Sequence, residues 1–271
     1  MYPVYCINLA RRPDRWAHME VSAKAAGISL IRVEAIDAET LDRTRESAAK
    51  AGPVLGAEIV IGDLACSLSH RKAWSMMLDA GHASAAFLED DCVFADDIAE
   101  VFPPDWLPRS AQVVKIETVL RPTRMSKPHP AGVGNRSLAR LRARHTGTAG
   151  YILRQSAAQL LVEKTETFLD PVDQIIFNPK SALFSQLAPQ QLLPAPIIQG
   201  QLVERNQTVP WAESSIDASR LDVMPELRDL PKPRMLGSAF EPTEASLLLR
   251  RRLRRRLQRM FGLEKRPVPF G

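Results

Sequence analysis

The sequence predicts an α/β protein with a mainly parallel central sheet flanked by helices, and three observations carry that prediction. Strand-like and helix-like segments alternate β-α-β-α-β through the first half, the order that builds parallel sheets. The 271 residues are 45% hydrophobic, enough for a substantial core in one large or two small domains. The apolar run Ala85-Ala86-Phe87-Leu88 passes without a spacer into Glu89-Asp90-Asp91. Three carboxylates therefore stand at the C-terminal end of a strand, where open α/β sheets hold their ligands.

Taken in order, residues 4–8 read as the first strand. A helix from Pro13 carries Trp16, Met19, Ala23 and Ala26 on one face and stops at Gly27. Residues 29–36 give a second strand, and the polar, Gly/Pro-punctuated stretch 37–62 gives a loop with a short helix. Asp63 is placed to cap a helix over 64–81, and residues 85–88 form the strand that bears the acids. Over 112–118, Val114 and Ile116 alternate with Lys115 and Glu117 as in another strand. Residues 121–145 hold seven Lys and Arg and no acid: first a Pro/Gly-broken loop, then a strand in which Arg140, Arg142 and Arg144 form a basic face. A strand over 150–153, a helix capped by Ser156 and running to Lys164, and a short helix opened by Pro171 follow. From 188 onward prolines dominate, and 200–245 lacks a sustained apolar period, which predicts irregular structure packed on the sheet.

The net charge of +5 is unevenly spread. Residues 247–271 hold nine Lys and Arg against one Glu, a net +8 that leaves −3 for the rest. Domain boundaries follow: a globular body over 1–245 and a basic tail over 246–271. In the tail, Leu249, Leu253, Leu257 and Met260 recur at helical spacing among seven arginines, the pattern of a helix that lies on anionic lipid. Docking of those leucines on the body, or binding to nucleic acid, is the weaker expectation. Three cysteines without metal-ligand spacing fit a reducing compartment. With no signal-peptide pattern and no apolar run long enough to span a bilayer, the expected location is cytoplasmic, peripheral at the inner face of the membrane.

Several constellations could carry chemistry. Three adjacent acids repel one another unless a hard divalent cation, Mg²⁺ or Mn²⁺, shares their charge, although an isolated acidic turn is more often just solvated. Asn8 is followed by Arg11, Arg12, Asp14 and Arg15 between the first strand and helix, where helix N-terminal amides favour anions; the plain alternative is a solvated helix start. Ser69 and His70 precede the acidic strand and either touch substrate or pack in the core. Lys115 and Glu117 share a strand face, so they reach a common site or pair with each other. Asp173 is either a catalytic acid or a helix-start carboxylate.

In this order and spacing, the blocks resemble glycosyltransferase family 25. The resemblance rests on Ile7-Asn8-Leu9 with Arg11-Arg12 and Asp14-Arg15, on Gly62 through Cys66-Ser67-Leu68-Ser69-His70, and on Phe87-Leu88-Glu89-Asp90-Asp91. Lys115-Ile116-Glu117-Thr118, Gly147-Thr148-Ala149-Gly150-Tyr151 and Pro171-Val172-Asp173 are similar to weaker downstream blocks. Asp63 and Ala65 depart from the pattern, where Glu and Gly are usual.

The resemblance implies a GT-A type fold and inverting transfer of a sugar, often galactose from UDP-galactose, to a hydroxyl of a glycolipid or oligosaccharide acceptor. It implies a Mn²⁺ or Mg²⁺ ion held by Asp91 with Glu89 or Asp90, and a nucleotide end near Asn8, Arg12, Asp14 and Arg15, with Ser69, His70 and Lys115 also toward the donor. The basic segment 121–144 would meet the diphosphate. Asp173 is the first candidate for the base that takes the acceptor proton, and Glu117 the second. The rival expectation is a catalytically silent nucleotide-sugar or polyanion-binding protein of the same fold.

Overall fold

The computed structural model describes residues 1–41, 51–203 and 263–271. Strand β1 (Val4–Asn8) is buried at every position, as a strand covered on both faces must be. It leads into α1 (Pro13–Ala25), which starts with proline at N1 and is followed by Gly27 at φ 68°. β2 (Leu30–Glu34), α2 (Ile61–Asp79) and β3 (Ser84–Glu89) follow, then β4 (Cys92–Phe94), β5 (Val113–Lys115) and β6 (Glu117–Thr118). Next come β7 (Thr123–Met125), β8 (His129–Pro130), β9 (Ser137–Arg140) and β10 (Gly150–Arg154). The remaining elements are α3 (Gln155–Lys164), α4 (Val172–Phe177), α5 (Phe184–Leu187), β11 (Gln190–Leu193), β12 (Ile197–Gln199), α6 (Gly200–Val203) and β13 (Glu264–Arg266).

The central sheet has eight strands in the order β2-β1-β3-β10-β5-β11-β9-β8. β1 is parallel to β2 and β3, and β5 is parallel to β11; β10 enters antiparallel between β3 and β5. The expected α/β architecture, a large sheet flanked by helices, is therefore present, and the sheet is mixed, because β9 also runs antiparallel to β11 and β8. Alternation along β3 divides the core in two. Ala85 and Phe87 pack with Trp74, Met77, Leu161 and Phe177 on the face covered by α2, α3 and α4, whereas Ala86 and Leu88 pack with Met19 and Ala23 under α1.

Five local expectations need correction. Asp63 lies in the first turn of α2, and the N-cap position belongs to Val60. Ser156 sits inside α3, where its hydroxyl donates to Gln112 Oε1 at 2.6 Å rather than to a helix amide. The strand over 112–118 breaks at Ile116: its N–H bonds Gly150 O, while its carbonyl accepts from Ile197, so the chain passes from the central sheet to the three-stranded sheet β4-β12-β6. The basic-faced strand ends at Arg140, and β11, expected to be irregular, is an inner strand of the central sheet.

The pattern over 249–260 falls outside the described residues. Residues 263–271 are part of the body. β13 pairs antiparallel with β7, Val268 is buried, and Thr118 Oγ1 donates to Val268 O at 2.6 Å. Among the described residues, no helix is long and apolar enough to cross a membrane.

Candidate active site

A cavity of about 1060 Å³ opens where β1, β2 and β3 end, walled by α2, the start of α4, and the loops after β6 and before β10. β3 ends at Glu89, and Asp90 and Asp91 form the turn into β4, so the three acids of the run meet different partners there. Asp90 points to the α1 side. Its Oδ1 accepts from Arg15 Nη1 at 2.8 Å and its Oδ2 from Asn8 Nδ2 at 2.7 Å. Asn8 is fully buried and its Oδ1 accepts in turn from Arg32, so it braces the acid instead of lining the cavity.

Glu89 points to the α2 side. Its Oε1 accepts from Thr148 Oγ1 at 2.7 Å and meets His70 Nε2 at 3.2 Å. The other ring nitrogen of His70 meets the Tyr151 hydroxyl at 2.8 Å, and Trp74 Nε1 donates to that same oxygen. Burial raises the Glu89 carboxyl, but the bonds from His70 and Thr148, with the charges of His70 and Lys115, outweigh it and hold the group below its usual range. Ser69 also lines the cavity, yet its hydroxyl is committed: it donates to Ala65 O and accepts from Ile36 N, tying α2 to the end of β2.

Asp91 is the acid with capacity left over. Its backbone oxygen accepts from Gly200, and its Oδ2 has a long contact of 3.4 Å with Gln199 Nε2. Oδ1 is buried and makes no hydrogen bond among the described residues. Burial, joined by the like charge of Glu89 and opposed by Arg15, pushes Asp91 up to about 8. An orphaned carboxylate oxygen beside a second carboxylate is a donor set that fits a hard divalent cation, which would replace the proton.

Asp173, in the first turn of α4, faces the same cavity, where its Oδ2 accepts from Gly147 N at 3.2 Å and Gln174 Nε2 at 2.8 Å. Burial raises its carboxyl, with the neighbouring Asp63 adding to the effect and Gly147 and Lys115 opposing it. Ser67 fixes this helix start by accepting from Val172 N at 3.0 Å.

Lys115 and Glu117 are not brought to the cavity. They form a fully buried pair at 2.6 Å, and Lys115 Nζ also donates to Gly147 O and lies 4.2 Å from the Phe177 ring centroid. Glu117 is raised to about 7 by burial, against the pull of Lys115. Both act beneath the 147 turn, so the assignment of Glu117 as a base that meets acceptor and of Lys115 as a donor contact is corrected.

Arg12 and Asp14 pair with each other at 2.8 Å on the outside of α1, and neither lines the cavity. The cations that do line it include the exposed Arg121 and Arg144, both from the basic 121–144 segment. Leu120, beside Arg121, is held at φ 56°, with its N–H on Thr118 Oγ1. Thr148, Tyr151 and Gln199 are site residues to which sequence reasoning gave no role.

A family model described as "Glycosyltransferase family 25 (LPS biosynthesis protein)" matches residues 1–176. The chain is 31% identical to the lacto-N-neotetraose biosynthesis glycosyltransferase LgtB of Neisseria gonorrhoeae, covering 64% of this chain and 66% of that protein. It is 26% identical to LgtE of Neisseria meningitidis serogroup B, covering 98% and 89%. The lipooligosaccharide biosynthesis protein lex-1 of Haemophilus influenzae is 29% identical, covering 59% of this chain and 55% of that protein. Fold order, an acid-lined cavity at the strand ends and the matching of residues 1–176 converge: the chain belongs to glycosyltransferase family 25.

Proposed function

We propose that this protein is a metal-dependent, inverting glycosyltransferase that moves a sugar from a UDP-sugar to a hydroxyl of a cell-surface glycolipid or polysaccharide. Galactose is the sugar that the family resemblance favours. The observation that carries the reading is Asp91 Oδ1, a buried carboxylate oxygen without a hydrogen bond, facing a cavity beside Glu89. Asp91 and Glu89 would hold Mn²⁺ or Mg²⁺, which when bound neutralises charge on a diphosphate as the sugar departs.

The chain's own residues divide the remaining work. Arg121 and Arg144 bind the anionic diphosphate at the rim. Asp173 accepts the acceptor's hydroxyl proton; its raised carboxyl suits a base working near neutral pH. The amide of Gly147 keeps that carboxylate aimed into the cavity. Asn8 and Arg15 hold Asp90, and through the backbone they fix Asp91 next to it. The basic pattern over 249–260 supports attachment to anionic lipid at the cytoplasmic face, with about 1 kcal/mol from each basic residue near the surface.

The test is UDP release from a panel of UDP-sugars, with and without Mn²⁺, for the wild type and Asp91→Asn. Metal-dependent release that the variant loses supports the transferase and identifies the donor. UDP-sugar binding with no turnover on any acceptor would mark a silent nucleotide-sugar-binding protein instead.

A further inference from the structure

The α2 wall of the cavity carries a second donor set whose chemistry differs from that of two carboxylates. Cys66 and His70 stand four residues apart in α2 and so share a helix face. Glu89 reaches the same point from the end of β3. A ligand atom from each (thiol sulfur, imidazole nitrogen and carboxylate oxygen) lies within 4.8 Å of the others, and all three residues line the cavity. The separation of His70 Nε2 and Glu89 Oε1 is 3.2 Å. Two tetrahedral ligands at ordinary zinc distances are about 3.3 Å apart, so this pair is already spaced for one ion.

The elements around this point explain why it is set apart. His70 is anchored from behind by the Tyr151 hydroxyl on Nδ1, the kind of outer contact that orients a metal-bound imidazole. Thr148 fixes Glu89 in the same way. Cys6 and Cys92, by contrast, are fully buried, and burial keeps their thiols protonated. Cys66 is the half-buried cysteine and the one with imidazole and carboxylate at hand. Mg²⁺ and Mn²⁺ prefer all-oxygen sites, whereas sulfur and nitrogen donors favour a borderline-soft ion.

We propose that Cys66 Sγ, His70 Nε2 and the Glu89 carboxylate form a Zn²⁺ site, separate from Asp91 but sharing Glu89 with it. The fourth position opens to the cavity. Binding releases the Cys66 thiol proton to solvent, and Zn²⁺ holds the resulting thiolate. Because Glu89 serves one ion at a time, zinc and the hard cation compete, and zinc inhibits turnover. That last consequence rests on the glycosyl-transfer reading; the site itself does not, and its test uses no activity.

Co²⁺, a spectroscopic substitute for Zn²⁺, is titrated into the metal-free full chain. The expected result is a thiolate-to-cobalt charge-transfer band in the near ultraviolet that saturates at one ion per chain and is bleached by an equivalent of Zn²⁺. Cys66→Ser abolishes the band, and Asp91→Asn retains it. No band in the wild type, a band surviving Cys66→Ser, or its loss from a folded Asp91→Asn protein overturns the proposal. A second measurement needs no variant: alkylation of Cys66, mapped by peptide mass, is expected to be about tenfold slower with Zn²⁺ than with Mg²⁺. Equal rates overturn the site.

Discussion

Arg15 Nη1 lies 2.8 Å from Asp90 Oδ1 with both side chains nearly sealed from solvent, so the middle acid of three is spent on the fold. Removing the cation would strand a buried carboxylate whose remaining side-chain partner is Asn8. Arg15→Met is expected to cost about 3–5 kcal/mol in urea unfolding at neutral pH, the range for breaking a buried pair from one side. A loss well under 1 kcal/mol would mean that water reaches Asp90.

Asp91 sets a pH dependence whose sign can be worked out. Its folded value of about 8 lies well above the unfolded carboxylate value, about 3.9. Between the two, the folded chain holds a proton that the unfolded chain has released. The stability from this group is therefore complete below about pH 4 and is lost as pH rises through about 8. In chelator, the wild type is expected to lose up to about 1.4 kcal/mol per pH unit relative to Asp91→Asn across that window. Mn²⁺ is expected to offset the loss at the alkaline end. Urea unfolding of both proteins at several pH values, with and without Mn²⁺, checks this; parallel profiles would contradict it.

The Tyr151 hydroxyl joins His70 Nδ1 to Trp74 Nε1 in the core. Tyr151→Phe keeps the ring's stacking on Phe87 but leaves two buried polar groups short of a partner. The expected cost is about 1–3 kcal/mol, with a lower kcat because His70 no longer holds Glu89 in one place. Thermal unfolding and steady-state kinetics measure the two effects separately.

Gly147 is at φ 89°, and a Cβ there would meet the Glu117 carboxylate oxygens at 3.0 and 3.1 Å. Gly147→Ala is expected to destabilise the protein by about 1–3 kcal/mol through backbone strain. It would also shift the amide that aims Asp173, so kcat is expected to fall more than donor affinity. Isothermal titration with UDP beside turnover rates tests that split.

Much of the site was legible in the sequence because period decides facing. In β3, the alternation that puts Phe87 on one side and Leu88 on the other also carries Glu89 to the α2 side, where it meets His70. On α1, Arg15 stands four residues before Met19 and eight before Ala23, on the buried stripe, although the motif groups it with Arg12 and Asp14 at the nucleotide end. Strand β11 was hidden because Pro189 and Pro194 bracket it and read as loop punctuation. The inward turn of Lys115 and Glu117 could not be read from their own strand. It depends on the Gly147 carbonyl and the Phe177 ring, which arrive from distant segments. The orphaned oxygen of Asp91 likewise depends on where Gln199 and Gly200 come to rest.

The bond from Thr118 to Val268 spans 150 positions, and β13 reaches back to β7 over a similar distance. Contacts so far apart in sequence carry a high loop-closure entropy and form late. On the ribosome, Glu89 at the end of β3, Asp91 in the turn after it and the helix of Asp173 emerge long before residues 263–271. A nascent chain can therefore assemble its acids first, while the turn that carries Leu120 and Arg121 still lacks the strand that pins it. The cationic wall is therefore braced from a segment far along the chain, through Val268 on Thr118 and β13 on β7, after the acids of the cavity have been made.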